Sequence, residues 1–219
     1  MAHPTQKQIV QTLVKHFGPT YSVEQGIDLE KNTPSLLFRW LCACILFSAR
    51  IGQQQAISAA QALRKAGWTT AKKMSDSTWR QRTDVLNRAG YARYDESTSR
   101  MLGDTAQMLL DRYGGDLRKL RDAAQRDPRR QRKLLKEAKG MGDVGVDIFF
   151  REVQIAWDEL YPFVDPRALK TAKQLGLPDN PKRLAQLVSK SDLPQLAAAL
   201  TRVGLEKKTD EVVLRAAKI

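Results

Sequence analysis

The chain is poor in metal-binding side chains. Its 219 residues include two cysteines, Cys42 and Cys44, and two histidines, His3 and His16. Two positions apart on a helix, the cysteines point about 200° apart and cannot share one ion. Both lie in the apolar run 36–47, where a reduced core thiol is the ordinary role. A zinc or iron–sulfur site made from side chains is therefore not expected. No run of about 18 apolar residues occurs, so no membrane span is expected. The opening Met1-Ala2-His3-Pro4-Thr5-Gln6 lacks the charged-then-apolar pattern of a secretory signal, which points to the cytoplasm. Acidic residues are also scarce, 24 against 37 Lys and Arg, leaving a net charge of +13.

That surplus favours a polyanionic partner, nucleic acid first and an anionic membrane surface second. It is unevenly placed. Residues 112–139 hold 11 Lys and Arg against 4 Asp and Glu. Such a cluster serves equally as a solvated helix face or as a phosphate contact. Hydrophobic residues make up 42% of the chain, enough for a real core rather than disorder.

Periodicity of 3.6 residues recurs while strand-like alternation is scarce, so the expected fold class is all-α. Helices are expected over 5–17, 35–49, 53–66, 70–74, 77–89, 95–113, 117–124, 128–138, 144–157, 166–175, 181–189, 193–203 and 208–218, with 21–34 irregular. Asp127-Pro128 reads as an N-cap with proline at the first helical position. Val144, Ile148, Phe149, Val153 and Trp157 are spaced to face inward. There is no internal repeat and no low-complexity linker, so two lobes would have to be built from discontinuous segments. The expected division is a central helical domain over 35–157, with a helix-hairpin-helix near 129–157, and a second helical lobe from 1–34 plus 158–219.

Two local features carry chemistry. Gly140-Met141-Gly142 separates two helical stretches. Glycine permits positive φ and close backbone approach, and the helix N-terminus that follows presents unpaired N–H groups. The hairpin reads either as an ordinary helix–helix turn or as a seat for a phosphate. Asp143 is expected to turn inward onto backbone N–H groups, since its charge would otherwise oppose that phosphate. The second feature is Asp165, closing the apolar run Tyr161-Pro162-Phe163-Val164 just before Pro166. It reads as another N-cap. It also suits an ionised carboxylate that stabilises a cationic sugar or activates water.

Together these residues resemble the helix-hairpin-helix DNA glycosylase superfamily, which includes endonuclease III, the adenine glycosylase of mispairs and the 3-methyladenine glycosylases. The family hairpin Leu-Pro-Gly-Val-Gly is matched by Ala138-Lys139-Gly140-Met141-Gly142, and its Val-Asp-Thr-His by Val164-Asp165-Pro166-Arg167. Leu46-Phe47-Ser48-Ala49-Arg50 resembles its Leu-Leu-Ser-Ala-Gln, and the segment 90–101 its Gly-Phe-Tyr…Lys-Ala. The resemblance runs from about Pro34 to Leu177 and implies two helical lobes with an active-site cleft between them. It implies a DNA repair enzyme of base excision that flips a damaged base from the duplex and hydrolyses its N-glycosidic bond. Asp165 is then the catalytic carboxylate. Gly140, Met141, Gly142, Val144, Gly145, Lys139, Arg50 and Arg167 contact DNA, Arg50 as a wedge into the vacated stack. Trp40, Phe47 and Trp157 line the base pocket.

Two departures refine that picture. Val144 stands where bifunctional members carry the Schiff-base lysine, which implies a monofunctional glycosylase for alkylated or deaminated bases rather than oxidised ones. The C-terminal four-cysteine set is missing, so no iron–sulfur cluster is implied and no cofactor is required. The family hairpin often holds K+ or Na+ on main-chain carbonyls, which would be those of Lys136, Ala138 and Met141. The implied partner is double-stranded DNA with a damaged base, bound by a monomer without a membrane, beside the nucleoid in a prokaryote. The competing readings are a non-catalytic helix-hairpin-helix DNA-binding protein and a helical regulator that reads the major groove.

Overall fold

The computed structural model describes residues 4–218; His3 lies outside them. In chain order the helices are α1 (Gln6–His16), α2 (Tyr21–Glu24), α3 (Pro34–Ser48), α4 (Gln53–Lys65), α5 (Ala71–Asp76), α6 (Trp79–Leu86) and α7 (Asp95–Tyr113). Then follow α8 (Leu117–Ala123), α9 (Pro128–Leu135), α10 (Asp143–Val153), α11 (Pro166–Gln174), α12 (Pro181–Ala185), α13 (Leu193–Glu206) and α14 (Thr209–Ala216). No β-strand occurs among the described residues, and no helix there is long and apolar enough to cross a membrane. The chain divides into two units, Gln25–Phe149 and a discontinuous one made of the residues up to Glu24 with those from Phe150 onward. Both boundaries fall before those expected, 34/35 and 157/158.

In the continuous unit α3 is the central helix. Thr33 caps it through a bond from Leu36 N–H, and Pro34 opens it. Leu37, Phe38, Trp40, Leu41, Cys42, Ala43, Cys44, Ile45 and Leu46 are all buried, so α3 is apolar nearly all round, as a helix enclosed by others must be. It packs against α4, α7 and α8, while α7 also packs on α5 and α6. Neither cysteine is in a disulfide, and burial pushes the Cys42 thiol far up from its ordinary pKa. A π-turn, Asn87–Tyr91, interrupts the expected helix 77–89. It delivers the Tyr91 hydroxyl to the Leu46 carbonyl at 2.9 Å, at the end of α3.

The discontinuous unit has its own core. Ile9, Val10 and Leu13 of α1, Ala168 and Ala172 of α11, and Leu196, Leu200 and Val203 of α13 form one buried cluster, with Val212 of α14. Thr5 and Gln8 form a reciprocal capping box at the start of α1, which satisfies two donors at once.

Candidate nucleic-acid interface and carboxylate site

The hairpin lies in the continuous unit. Asp127 caps α9 and Pro128 opens it, as the sequence predicts, but α9 ends at Leu135 and a tight turn leads to Gly140. Gly140 has φ +86°, and a Cβ there would lie 2.9 Å from Ile45 Cγ2 and 3.0 Å from Met101 Sδ. Both the left-handed backbone and the close approach to α3 and α7 require glycine. Gly145, in the first turn of α10, faces Ser48 and Met141, and a Cβ there would lie 2.8 Å from Ser48 Oγ. The hairpin is thus fixed on the end of α3. Gly142 has open space around it. Gly140→Ala should cost about 1–2 kcal/mol, the penalty of a left-handed residue with a side chain. Gly142→Ala should stay within about 0.5 kcal/mol of wild type. Urea unfolding of the two variants checks the contrast.

Lys139, Gly142, Asp143 and Val144 are exposed, whereas Met141 and Gly145 are buried. Met141 can therefore meet a ligand only through its backbone. Val144, expected to face inward, is 49% exposed, because it stands on the outer side of the first turn of α10. Asp143 also corrects the sequence reading. It is the first residue of α10 rather than its cap, and its carboxylate turns outward. Lys136 Nζ bonds both its oxygens at 2.9 Å, and Arg132 lies 3.6 Å away. The bond from Lys136 holds the Asp143 carboxyl below the usual carboxylate range. The negative charge that would repel a phosphate is thus neutralised locally. On α9, Arg129 and Lys133 sit one turn apart and face solvent, and with Lys139 they have no carboxylate partner among the described residues. The unpaired N–H groups of the first turn of α10 complete a cationic, amide-rich surface.

Among the described residues no group of three or more His, Cys, Asp or Glu side chains is placed to hold a metal. For a monovalent cation the relevant oxygens are main-chain ones. The Ala138 carbonyl accepts Met141 N–H at 3.0 Å, which leaves its second lone pair for a ligand. With Lys136 and Met141 this is a set of neutral oxygens, which fits K+ or Na+ by donor type.

Asp165 lies in the discontinuous unit and is the N-cap of α11. Its Oδ1 accepts the N–H groups of Arg167 at 3.1 Å and Ala168 at 3.2 Å. Its Oδ2 accepts Arg151 Nη1 and Thr201 Oγ1, each at 3.3 Å. The residue is 4% exposed. Arg151 also lies 3.7 Å from Glu152, whose carboxylate accepts Tyr21 N–H at 3.0 Å and Ser22 N–H at 2.8 Å. Two guanidiniums approach the Tyr21 ring, Arg151 at 5.1 Å and Arg202 at 4.5 Å from its centroid. Burial alone would lower the Arg151 pKa, but the Asp165 and Glu152 carboxylates outweigh it and hold it up. Burial raises the Glu152 carboxyl despite Arg151 beside it. Asp165, Glu152 and Arg151 thus form a buried trio with one net negative charge when all three are ionised.

The remaining expected site residues fall into two groups. Arg50 and Arg167 are exposed, at the end of α3 and in the first turn of α11. Trp40 and Trp157 are wholly buried and offer no face to a base. Trp40 spends its indole N–H on the Phe149 carbonyl at 3.3 Å, as a core tryptophan does. Phe47 is half-buried. Arg151, Glu152 and Thr201 were missed. The signal was Arg151-Glu152 itself, two adjacent charges inside an apolar helix.

No family model matches the chain, and no curated protein matches it. Among solved structures it is similar to H. pylori 3-methyladenine DNA glycosylase (MagIII) bound to 1,N6-ethenoadenine, at 16% identity and a TM-score of 0.51, over 87% of this chain and 96% of that one. It also aligns with a trapped endonuclease III–DNA covalent intermediate, an estranged-adenine complex, at 17% identity and a TM-score of 0.48, over 74% of this chain and 71% of that one. The MagIII likeness shows the fold, an all-α one.

Proposed function

We propose that the protein is a monofunctional DNA glycosylase that releases an alkylated or deaminated base from duplex DNA. The observation that carries this reading is Asp165, an ion-paired carboxylate fixed at a helix N-terminus by four donors. With both oxygens engaged, it acts on the sugar through charge rather than as a free proton acceptor. When all three groups are ionised, the trio's single negative charge favours the cationic sugar that forms as the glycosidic bond breaks. The first-turn amides of α10 hold the DNA backbone, with Arg129, Lys133 and Lys139 beside them and Arg167 as a further phosphate contact. Arg50 fills the gap left by the flipped base. A monovalent cation on the carbonyls of Lys136, Ala138 and Met141 would add positive charge at the same phosphate. The fold-similar MagIII, named for 3-methyladenine, supports an alkylated base as the first candidate.

The test is base release over a panel of duplexes with alkylated, deaminated and oxidised bases. Release without strand nicking is expected, since Val144 has no amine to attack the sugar. Binding without release from any lesion would overturn the enzymatic reading. The burial and saturation of Asp165 favour one alternative, a non-catalytic helix-hairpin-helix DNA-binding protein in which Asp165 only caps α11. Affinity should fall with salt in either case. Lys133→Ala should reduce the slope of log K against log salt by about 1, as loss of one phosphate contact does. An unchanged slope would remove α9 from the interface.

A further inference from the structure

A cavity of about 350 Å³ in the continuous unit belongs to neither feature above. One wall is a stripe of α7, where Arg100, Gly103, Asp104 and Gln107 share a face at helical spacing. The other is Ser75 and Ser77 at the end of α5 with Trp79 and Arg82 of α6. Arg82 is 7% exposed, yet its charge has no carboxylate within ion-pair distance among the described residues. Its Nε donates to the Ser99 carbonyl at 2.9 Å, and its Nη1 to Met74 O at 3.1 Å and Ser77 O at 2.5 Å. Nη2 has no acceptor among the described residues. It lies against Gly103, where any Cβ would collide with it. A glycine in the middle of a helix costs roughly 1 kcal/mol relative to alanine, and here it leaves the guanidinium room at the cavity wall.

We propose that this cavity binds a nucleotide, its phosphate on Nη2 of Arg82 and on Arg100 and its base against the indole of Trp79. Guanidinium groups suit phosphate by their planar array of donors. Trp79 is 40% exposed although its N–H is held by the Glu96 carbonyl at 3.2 Å, so its ring is anchored and its face is available for stacking. Asp104 opposes a bare phosphate but accepts amino and hydroxyl donors, which a nucleotide has. A cavity of this volume suits a small ligand. The proposal does not depend on Asp165 or the hairpin.

The experiment is calorimetric titration of the full chain with dAMP, deoxyadenosine, inorganic phosphate, and a short single strand with and without a 5′-phosphate. The expected result is that dAMP binds at least about tenfold more tightly than phosphate or deoxyadenosine. Arg100→Gln and Trp79→Ala should each weaken dAMP at least about tenfold. Arg100 is exposed, so its variant should keep the wild-type melting temperature. Lys133→Ala should bind dAMP as wild type does. Tighter binding of the 5′-phosphorylated strand would identify a strand end as the source of the nucleotide, and tighter binding of dAMP a free one. No heat with dAMP at millimolar concentration, or affinity unchanged by Arg100→Gln, overturns the proposal.

Discussion

Asp165→Asn should lower base release by about 10²- to 10⁴-fold, the range lost with a catalytic carboxylate, while DNA affinity stays near wild type. Asparagine keeps an oxygen for the N–H groups of Arg167 and Ala168, so the cap of α11 survives. It removes the charge that faces Arg151 across 3.3 Å. The reading predicts a loss in kcat with little change in KM, because the charge matters most when the sugar is cationic. Circular dichroism and melting of the variant separate this from unfolding. Base release at wild-type rate from a folded Asp165→Asn protein would leave Asp165 as a cap and nothing more.

Arg151→Met should be the most destabilising single change in the discontinuous unit, at about 3–5 kcal/mol, the cost of stranding buried charge. Two carboxylates, Asp165 and Glu152, would lose their shared partner, and Tyr21 one of its two cations. The pH dependence has a definite sign. Burial already raises the Glu152 carboxyl in the folded protein, and Arg151 is what opposes it. Without Arg151 the folded state binds the proton still more tightly than the unfolded chain does. Stability of the variant should therefore fall as pH rises from the ordinary glutamate value through the raised one, and recover on acidification. Denaturant midpoints of both proteins across pH 4 to 8 check it. A parallel shift of the variant at every pH would show that the lost term is packing over Tyr21 rather than charge.

Much of the architecture was legible because it is written locally. Asp127-Pro128 and Asp165-Pro166 each pair a side-chain acceptor with a ring that starts a helix, and each opens one. The apolar run of α3 identified a helix enclosed by others, since Arg39 is its one charged residue. Side-chain direction at helix ends was not legible. Val144 and Asp143 were expected to point inward from periodicity and from capping. A first turn held against Ser48 and Met141 presents both outward instead. The π-turn at Asn87–Tyr91 was likewise invisible, because an extra residue per turn has no marker of its own in the sequence.

The carboxylate was located but its setting was not. Arg151 is 14 residues from Asp165 and Thr201 is 36 residues from it, so only tertiary packing brings them together. The base pocket failed for the opposite reason. Aromatic residues at helical spacing fit a core and a stacking platform equally well, and Trp40 and Trp157 proved to be core. Arg82 was hidden too, since a buried guanidinium looks like any other helical arginine until the glycine opposite it is seen.

The sealed thiols of α3 give this protein an internal clock. Cys42 and Cys44 are buried and reduced in the middle of the central helix, and burial keeps the Cys42 sulfur protonated and unreactive. A maleimide or disulfide reagent can therefore reach them only when α3 is exposed. The rate of labelling in native buffer then counts openings of the continuous unit alone. Compared with loss of helical signal, it shows whether the two units unfold as one event or in succession.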